Sequence, residues 1–280
     1  MNTIALLGTG LLGSGMVENL LQKGHPVRIW NRSRDKLLPL VKKGAIAAED
    51  PASAVRGAAR VHLVLAEDTA VDAVIAALRP GLGEHVPVID HSTNLPAKVA
   101  ARFAALRKAA VRYVPAPVFM SPANAREGSG LMLLAGPQAD ADALQSGLAP
   151  MTGKVWYTGE RPDLAAVYKL AGNSLFFVLA GAMHDVLAMG KGNDVPPEQM
   201  LKLFDVFKPG GAVPFIGQRV MAAGDGPASF ELSMARKDAG LMQTTAGSHR
   251  LLVLPGVIAA MDQAIARGLG SADYAAFTKA

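Results

Sequence analysis

The chain opens with short apolar runs separated by longer stretches in which apolar residues recur every three or four positions. Ile4 to Leu7 is an unbroken apolar run ending at Gly8. Met16, Leu20 and Leu21 then share one helical side before a stop at Gly24. Val27 to Trp30 predicts a second strand, and Leu37, Leu38 and Val41 a second helix closed by Gly44. The alternation continues with strands over Val61 to Leu65, Val86 to Asp90, Arg112 to Pro115 and Leu131 to Ala135. Helices are expected over Val71 to Leu78 and Ala97 to Ala109. Strands and helices alternating at this spacing make βαβ units, hence a parallel sheet covered on both faces.

After Val155–Tyr157 the period changes. Pro162 stands where a helix can start, and Asp163 favours the positive end of that helix. The helical pattern runs from Asp163 to about Met189, with Gly190 and Gly192 as stops. More helices are expected over Pro197–Phe207, around Phe215–Met221, over Glu231–Leu252 and over Ile258–Arg267. The organisation expected is a doubly wound α/β domain over residues 1–161 and an all-α domain over 162–280. A long interdomain helix joins them.

Composition narrows the function classes. With 50% hydrophobic and 18% charged residues, the chain can bury a core and is not disordered. The absence of cysteine excludes disulfides, thiolate metal sites and cysteine nucleophiles. The net charge of +5 is spread without basic runs, which favours anionic small molecules over nucleic acid as partners. The six histidines lack paired-ligand spacing, so no metal site is expected. The uncharged stretch from Met1 to Val17 lacks a positive start and is too short to span a bilayer. A soluble, cytoplasmic enzyme with no membrane partner is the expectation.

The candidate chemistry begins directly after the first strand. Gly8, Thr9, Gly10, Leu11, Leu12 and Gly13 form a G-x-G-x-x-G turn opening onto a helix. Its glycines suit a tight turn, close approach of a diphosphate, and close helix–strand packing. The helix N-terminus offers free N–H groups to the anion. This context predicts a Rossmann-type dinucleotide site. The second strand ends in Asn31, Arg32, Ser33 and Arg34, where an NAD site usually has a carboxylate. Guanidinium groups pair with a 2′-phosphate, so NADP(H) is expected over NAD(H). Leu65 and Ala66, at the end of the third long strand, are further candidate cofactor contacts. On the long helix, Lys169 and Asn173 are spaced i and i+4 and share one face amid apolar residues. A lysine held in such a cleft would have a lowered pKa and could exchange protons; an exposed lysine is the competing reading.

These pieces resemble the β-hydroxyacid dehydrogenases, short relatives of 6-phosphogluconate dehydrogenase that include 3-hydroxyisobutyrate dehydrogenase and the glyoxylate/succinic semialdehyde reductases. The resemblance rests on Gly8 to Met16 with Asn19-Leu20, on Trp30-Asn31-Arg32, on Asp90-His91-Ser92-Thr93 with Pro96, on Lys169 with Asn173, and on Lys237-Asp238. It implies that Thr93 lies by the nicotinamide and that Lys237 contacts the cofactor. It also implies that Lys169 is the catalytic lysine and that Asn173 binds substrate. A homodimer through the helical half is implied as well, and Phe176, Phe177, Met183 and Met189 suit a core or subunit contact. One segment departs from the family: Phe119 replaces a serine, and Met120 and Ser121 replace glycines that present a backbone nest to the substrate carboxylate. These three are candidate substrate contacts. The leading expectation is an NADP-dependent oxidoreductase acting on a small aldehyde, ketone or β-hydroxy acid. An imine reductase-like activity and a non-catalytic dinucleotide-binding scaffold are the alternatives.

Overall fold

The computed structural model describes residues 2–222 and 226–279. The chain divides into two compact units, Met1–Asn173 and Ser174–Ala280. Among the described residues, the first holds nine strands: β1 (Ile4–Leu7), β2 (Val27–Trp30), β3 (Ile46–Ala47), β4 (Arg60–Leu63), β5 (Val88–Asp90), β6 (Tyr113–Pro115), β7 (Val118–Phe119), β8 (Leu131–Ala135) and β9 (Lys154–Gly159). Its helices are α1 (Leu11–Gln22), α2 (Leu38–Val41), α3 (Pro51–Val55), α4 (Asp68–Leu78), α5 (Pro96–Lys108), α6 (Pro122–Glu127) and α7 (Gln138–Leu148). The long helix α8 (Leu164–Lys191) begins in this unit.

Six strands form a parallel sheet in the order β3-β2-β1-β4-β5-β6. The order reverses between β1 and β4, which in open α/β sheets is where ligands bind, beyond the strand C-termini. Every residue of β1 is buried, as a strand covered on both faces requires. Period-two alternation divides its residues. Ile4 and Leu6 join the core with Met16, Val17, Leu20 and Ile29. Ala5 and Leu7 join the opposite core with Val55, Val61, Leu63 and Val88.

The expectation of one parallel sheet needs correction at β8 and β9. They form a separate three-stranded sheet, β7-β8-β9, in which β7 pairs antiparallel with β8. Strand β7 is only two residues long, so no alternation marks it in the sequence. The short helices α3 and α6 and the helix α7 were also not foreseen. For α3 and α6 the signals exist: Asp50 and Ser121 each form a capping box with the residue three positions on, followed by proline.

The expected domain boundary at 161/162 falls at the foot of α8. The first unit runs on to Asn173, because Ala165 and Ala166 of α8 are buried in its cores. The helix also passes Gly190 to end at Lys191. By length and composition alone α8 would cross a bilayer, with a mean hydropathy of 1.4 over its most apolar stretch. It nevertheless carries Lys169, Asn173, His184 and Asp185, and Asp185 is 4% exposed.

The second unit is helical: the remainder of α8, then α9 (Pro197–Leu201), α10 (Leu203–Val206), α11 (Val213–Met221), α12 (Leu232–Thr245) and α13 (Leu254–Ala266). Its core packs Leu232, Ala235 and Ala239 of α12 against Ile258, Met261 and Ala264 of α13. The Asp185 carboxylate accepts the backbone N–H groups of Leu252, Val253 and Leu254, and so caps α13 from α8. The helix expected over Glu231–Leu252 ends at Thr245, and the one expected over Pro197–Phe207 is split into α9 and α10.

Candidate active site

The glycine turn is built by close approach. Gly8 has a φ of +102°, and a Cβ there would lie 2.1 Å from the Val64 carbonyl oxygen. A Cβ on Gly13 would lie 1.9 Å from the Gly8 carbonyl oxygen. Only hydrogen fits at either position. Gly10 differs, since nothing stands within 4 Å of a Cβ there. The space above Gly10 is open, as approach of a diphosphate requires. Gly10 caps α1 without a side-chain acceptor, so the N–H groups of Leu11, Leu12 and Gly13 lack a side-chain cap. The Thr9 hydroxyl is buried with no partner among the described residues. Residues 8–13 therefore fit an anionic dinucleotide.

Asn31 braces this turn. Its Oδ1 accepts the Thr9 N–H at 3.1 Å, and its Nδ2 donates to the Ser33 carbonyl at 2.9 Å. The side chain thus ties the β2 exit to the cradle. Arg32 and Arg34 are exposed beside it and make no ion pair among the described residues. No carboxylate occupies Asn31, Arg32 or Ser33, where one would repel a 2′-phosphate.

Along the sheet edge, Leu65 lies against Gly8, and its backbone N–H donates to Ser92 Oγ at 2.9 Å. Ala66 is exposed next to it. Asp90, at the end of β5, organises the following loop. Its Oδ1 accepts the Ser92 N–H at 2.9 Å, and its Oδ2 accepts Asn94 Nδ2 at 2.8 Å and the Tyr113 hydroxyl at 2.7 Å. Ser92 and Asn94 are buried, whereas Thr93 between them is exposed. The loop is pinned on both sides of the residue it presents. Burial raises the Asp90 carboxyl above its ordinary value, against the pull of these donors and of Arg102, whose Nη1 lies 4.0 Å away.

Lys169 and Asn173 are brought together as their spacing predicts. Lys169 Nζ donates to Asn173 Oδ1 at 3.0 Å. The lysine is half-buried, and loss of solvent lowers its pKa below the ordinary lysine value. The lysine is neither fully exposed nor fully buried. Sequence reading did not foresee the neighbour of this pair. The Phe119 ring lies over the ammonium, 4.3 Å from centroid to Nζ. Its tip enters a slot that exists because residue 172 is glycine, where a Cβ would lie 2.4 Å from Phe119 Cζ. Ser121 caps α6: its N–H and hydroxyl both donate to Asn124 Oδ1, at 3.0 and 2.6 Å. Met120 packs against the core beneath β8. Lys237, on α12 of the second unit, pairs with Asp238 at 2.8 Å. No cluster of three His, Asp or Glu side chains that could hold a metal exists among the described residues.

A parallel sheet in this order, with an uncapped glycine turn at its switch point, is a dinucleotide-binding arrangement, and the relatives that the chain resembles make it a nicotinamide-dependent oxidoreductase. Residues 3–159 match the NAD binding domain of 6-phosphogluconate dehydrogenase, and the chain belongs to the β-hydroxyacid dehydrogenase family. It is 27% identical to the 3-sulfolactaldehyde reductase of Escherichia coli, over 99% of this chain and 94% of that one. It is 26% identical to glyoxylate/succinic semialdehyde reductase 1 of Arabidopsis thaliana, over 99% of this chain and 97% of that one. Among solved structures, an imine reductase from Myxococcus stipitatus in complex with NADP+ matches at a TM-score of 0.87. That match covers 99% of this chain and 98% of that one at 20% identity, a likeness of fold.

Proposed function

We propose that the protein is an NADPH-dependent carbonyl reductase in which Lys169 exchanges the proton with the substrate oxygen. The observation that carries this reading is the half-buried Lys169 ammonium held by Asn173 at 3.0 Å. A bound nicotinamide supplies and takes up the hydride. Lys169 donates a proton to the carbonyl oxygen in reduction and removes it in the reverse oxidation. Asn173 fixes the amine and adds a hydrogen bond to the substrate. Residues 8–13 hold the diphosphate, and Thr93 meets the nicotinamide side. Arg32 favours the 2′-phosphate of NADP(H), with Ser33 and the Asn31 brace beside it.

The test is Lys169→Ala. Turnover of NADPH with an aldehyde panel should fall by about three orders of magnitude, in the range of lost general acid catalysis, while NADPH binding persists. Turnover within a few-fold of wild type would remove the proton-transfer role. Arg32→Asp should move the kcat/KM preference from NADPH toward NADH, and an unchanged preference would remove the cofactor assignment. An imine substrate is the second reading, favoured by Phe119 where the family has serine. A cationic lysine repels a protonated imine, and this supports the carbonyl. Phe176 and Phe177 of α8 are 64% and 75% exposed, which supports a homodimer through the second unit. Sedimentation as a single 29.1 kDa species would exclude it.

A further inference from the structure

The segment that in the family receives a substrate carboxylate is rebuilt here from residue 119 to residue 124, and three observations show how. The Ser121 hydroxyl and the N–H of the same residue are both spent on Asn124 Oδ1, while Ser121 Oγ accepts the Asn124 N–H at 3.2 Å. The capping box of α6 therefore consumes the loop's one hydroxyl and the backbone donor beside it. Phe119 packs with Leu131 against Leu133, Ala135 and Ala165, so the ring is wedged between β8 and α8 rather than free to swing away. Its tip fills the Gly172 slot and its face covers Lys169 Nζ.

The ammonium has three N–H bonds. One goes to Asn173, one side faces the ring, and what remains suits a single carbonyl oxygen. A carboxylate brought against this wall would lose water from two oxygens and meet the Phe119 ring and a Ser121 N–H and hydroxyl already committed to Asn124, a loss that burial without matched donors makes unfavourable. An alkyl group there loses nothing and gains contact with the ring.

We infer that the Phe119–Gly172 pair makes the site select an uncharged aldehyde or ketone, with an alkyl or aryl group beside the carbonyl, over one bearing a carboxylate. This rests on the carbonyl-reductase reading above and names its substrate class. Phe119 acts as a specificity-determining wall, and Gly172 as the vacancy that lets the wall stand beside Lys169.

A matched pair of substrates tests it: pentanal, and succinic semialdehyde, which carries a carboxylate at similar chain length. With saturating NADPH, the wild-type kcat/KM should favour pentanal by about tenfold or more, the range that pocket contacts supply. Phe119→Ser should bring that ratio to one or below through a higher KM for pentanal, and Phe119→Leu should keep it. A role in folding alone would lower both substrates together and leave the ratio intact. A wild-type preference for succinic semialdehyde, or a ratio unmoved by Phe119→Ser, overturns the inference. If Phe119→Ser does not fold, the wild-type ratio and its retention in Phe119→Leu decide. If neither aldehyde turns over, the carbonyl-reductase reading fails instead. Selectivity is then read by calorimetry from binding of 1-pentanol and 4-hydroxybutyrate to the wild-type enzyme with NADP+. Tighter 1-pentanol supports the inference and tighter 4-hydroxybutyrate overturns it.

Discussion

The imidazoles of His62 and His91 stack inside the parallel sheet, with centroids 5.1 Å apart, planes inclined by 11° and a 2.8 Å nitrogen–nitrogen hydrogen bond. The partners at either end fix the direction of that bond. His91 Nδ1 lies 2.7 Å from the Ala116 carbonyl, which can only accept, so His91 Nε2 is the acceptor from His62 Nδ1–H. His62 Nε2 then accepts from Arg60 Nε at 3.0 Å. Both rings are neutral. Strand alternation places Arg60 and His62 on one face of β4, and sends His91 to the face opposite Asp90. The chain of donors ends on the carbonyl three residues before Phe119.

Stability should therefore depend on pH through this pair. Burial pushes both rings down, His91 to about 4 and His62 well below its ordinary value, with Arg60 adding repulsion. Between the unfolded histidine value of about 6.5 and the native value, the unfolded chain binds protons that the native one refuses, so stability falls as pH falls across this window. The loss is roughly 3 kcal/mol for His91 alone, from the size of its shift. Urea midpoints between pH 7.5 and pH 4.5 give the slope. The double variant His62→Leu with His91→Leu should be less stable at neutral pH but show a flatter slope, and an unchanged slope would contradict the neutral pair.

On the other face of the sheet, Arg102 is the counter-charge that a buried carboxylate needs. It bridges Asp68 at 2.7 Å and Asp72 at 2.6 Å, and donates to the Tyr113 hydroxyl that in turn donates to Asp90. Asp68 also accepts the Leu95 N–H, so the network reaches the loop that presents Thr93. Arg102→Met leaves Asp90 buried beside an incomplete set of donors and should cost about 3–5 kcal/mol. Adding Asp90→Asn should recover part of that loss. Denaturant unfolding of the two variants measures it, and additive effects would show that the groups are not coupled.

Much of this was legible, for identifiable reasons. Five of the six strands of the parallel sheet announce themselves because runs such as Ile4–Leu7 are buried on both faces, which leaves an unbroken apolar signature; β3, two exposed residues at Ile46–Ala47, leaves none. The i, i+4 spacing of Lys169 and Asn173 is local, so the helix alone brings them together. What could not be read depends on contacts across the chain. Phe119 reaches Gly172 over 52 intervening positions, and nothing near either residue reports it. His62 lies within the apolar run Val61–Leu65 and carries no local sign of its role, because its partner sits one strand over. Ser121, open between a structural role in its loop and a substrate contact, caps α6, and the Ser121-Pro122-x-Asn124 signature that marks such a cap is local.

Two glycines of the cradle should respond differently to the same change. At Gly10 the backbone conformation suits alanine, with φ −67°, and a Cβ meets nothing. Gly10→Ala should fold with an unaltered melting temperature yet bind NADPH about tenfold or more weakly, because the methyl stands where the diphosphate must approach. Gly13→Ala puts the methyl against the Gly8 carbonyl and should lower the melting temperature itself. Thermal melts and NADPH titration of both variants separate the roles. Equal affinity for Gly10→Ala and wild type would mean the diphosphate lies elsewhere.

If Lys169 exchanges the proton as proposed, its lowered pKa sets the pH dependence of the two reaction directions. Reduction needs the ammonium, so its kcat/KM should fall as pH rises through a value below that of free lysine; oxidation needs the neutral amine and should rise through the same value. The opposed limbs distinguish proton transfer from mere charge. Lys169→Arg keeps a cation in place but cannot surrender its proton in this range. If the lysine served only as a positive charge, the arginine variant would retain most of the activity and lose the alkaline limb. If the lysine moves the proton, Lys169→Arg should be as slow as Lys169→Ala, and pH–rate profiles in both directions with the wild type and these two variants decide between them.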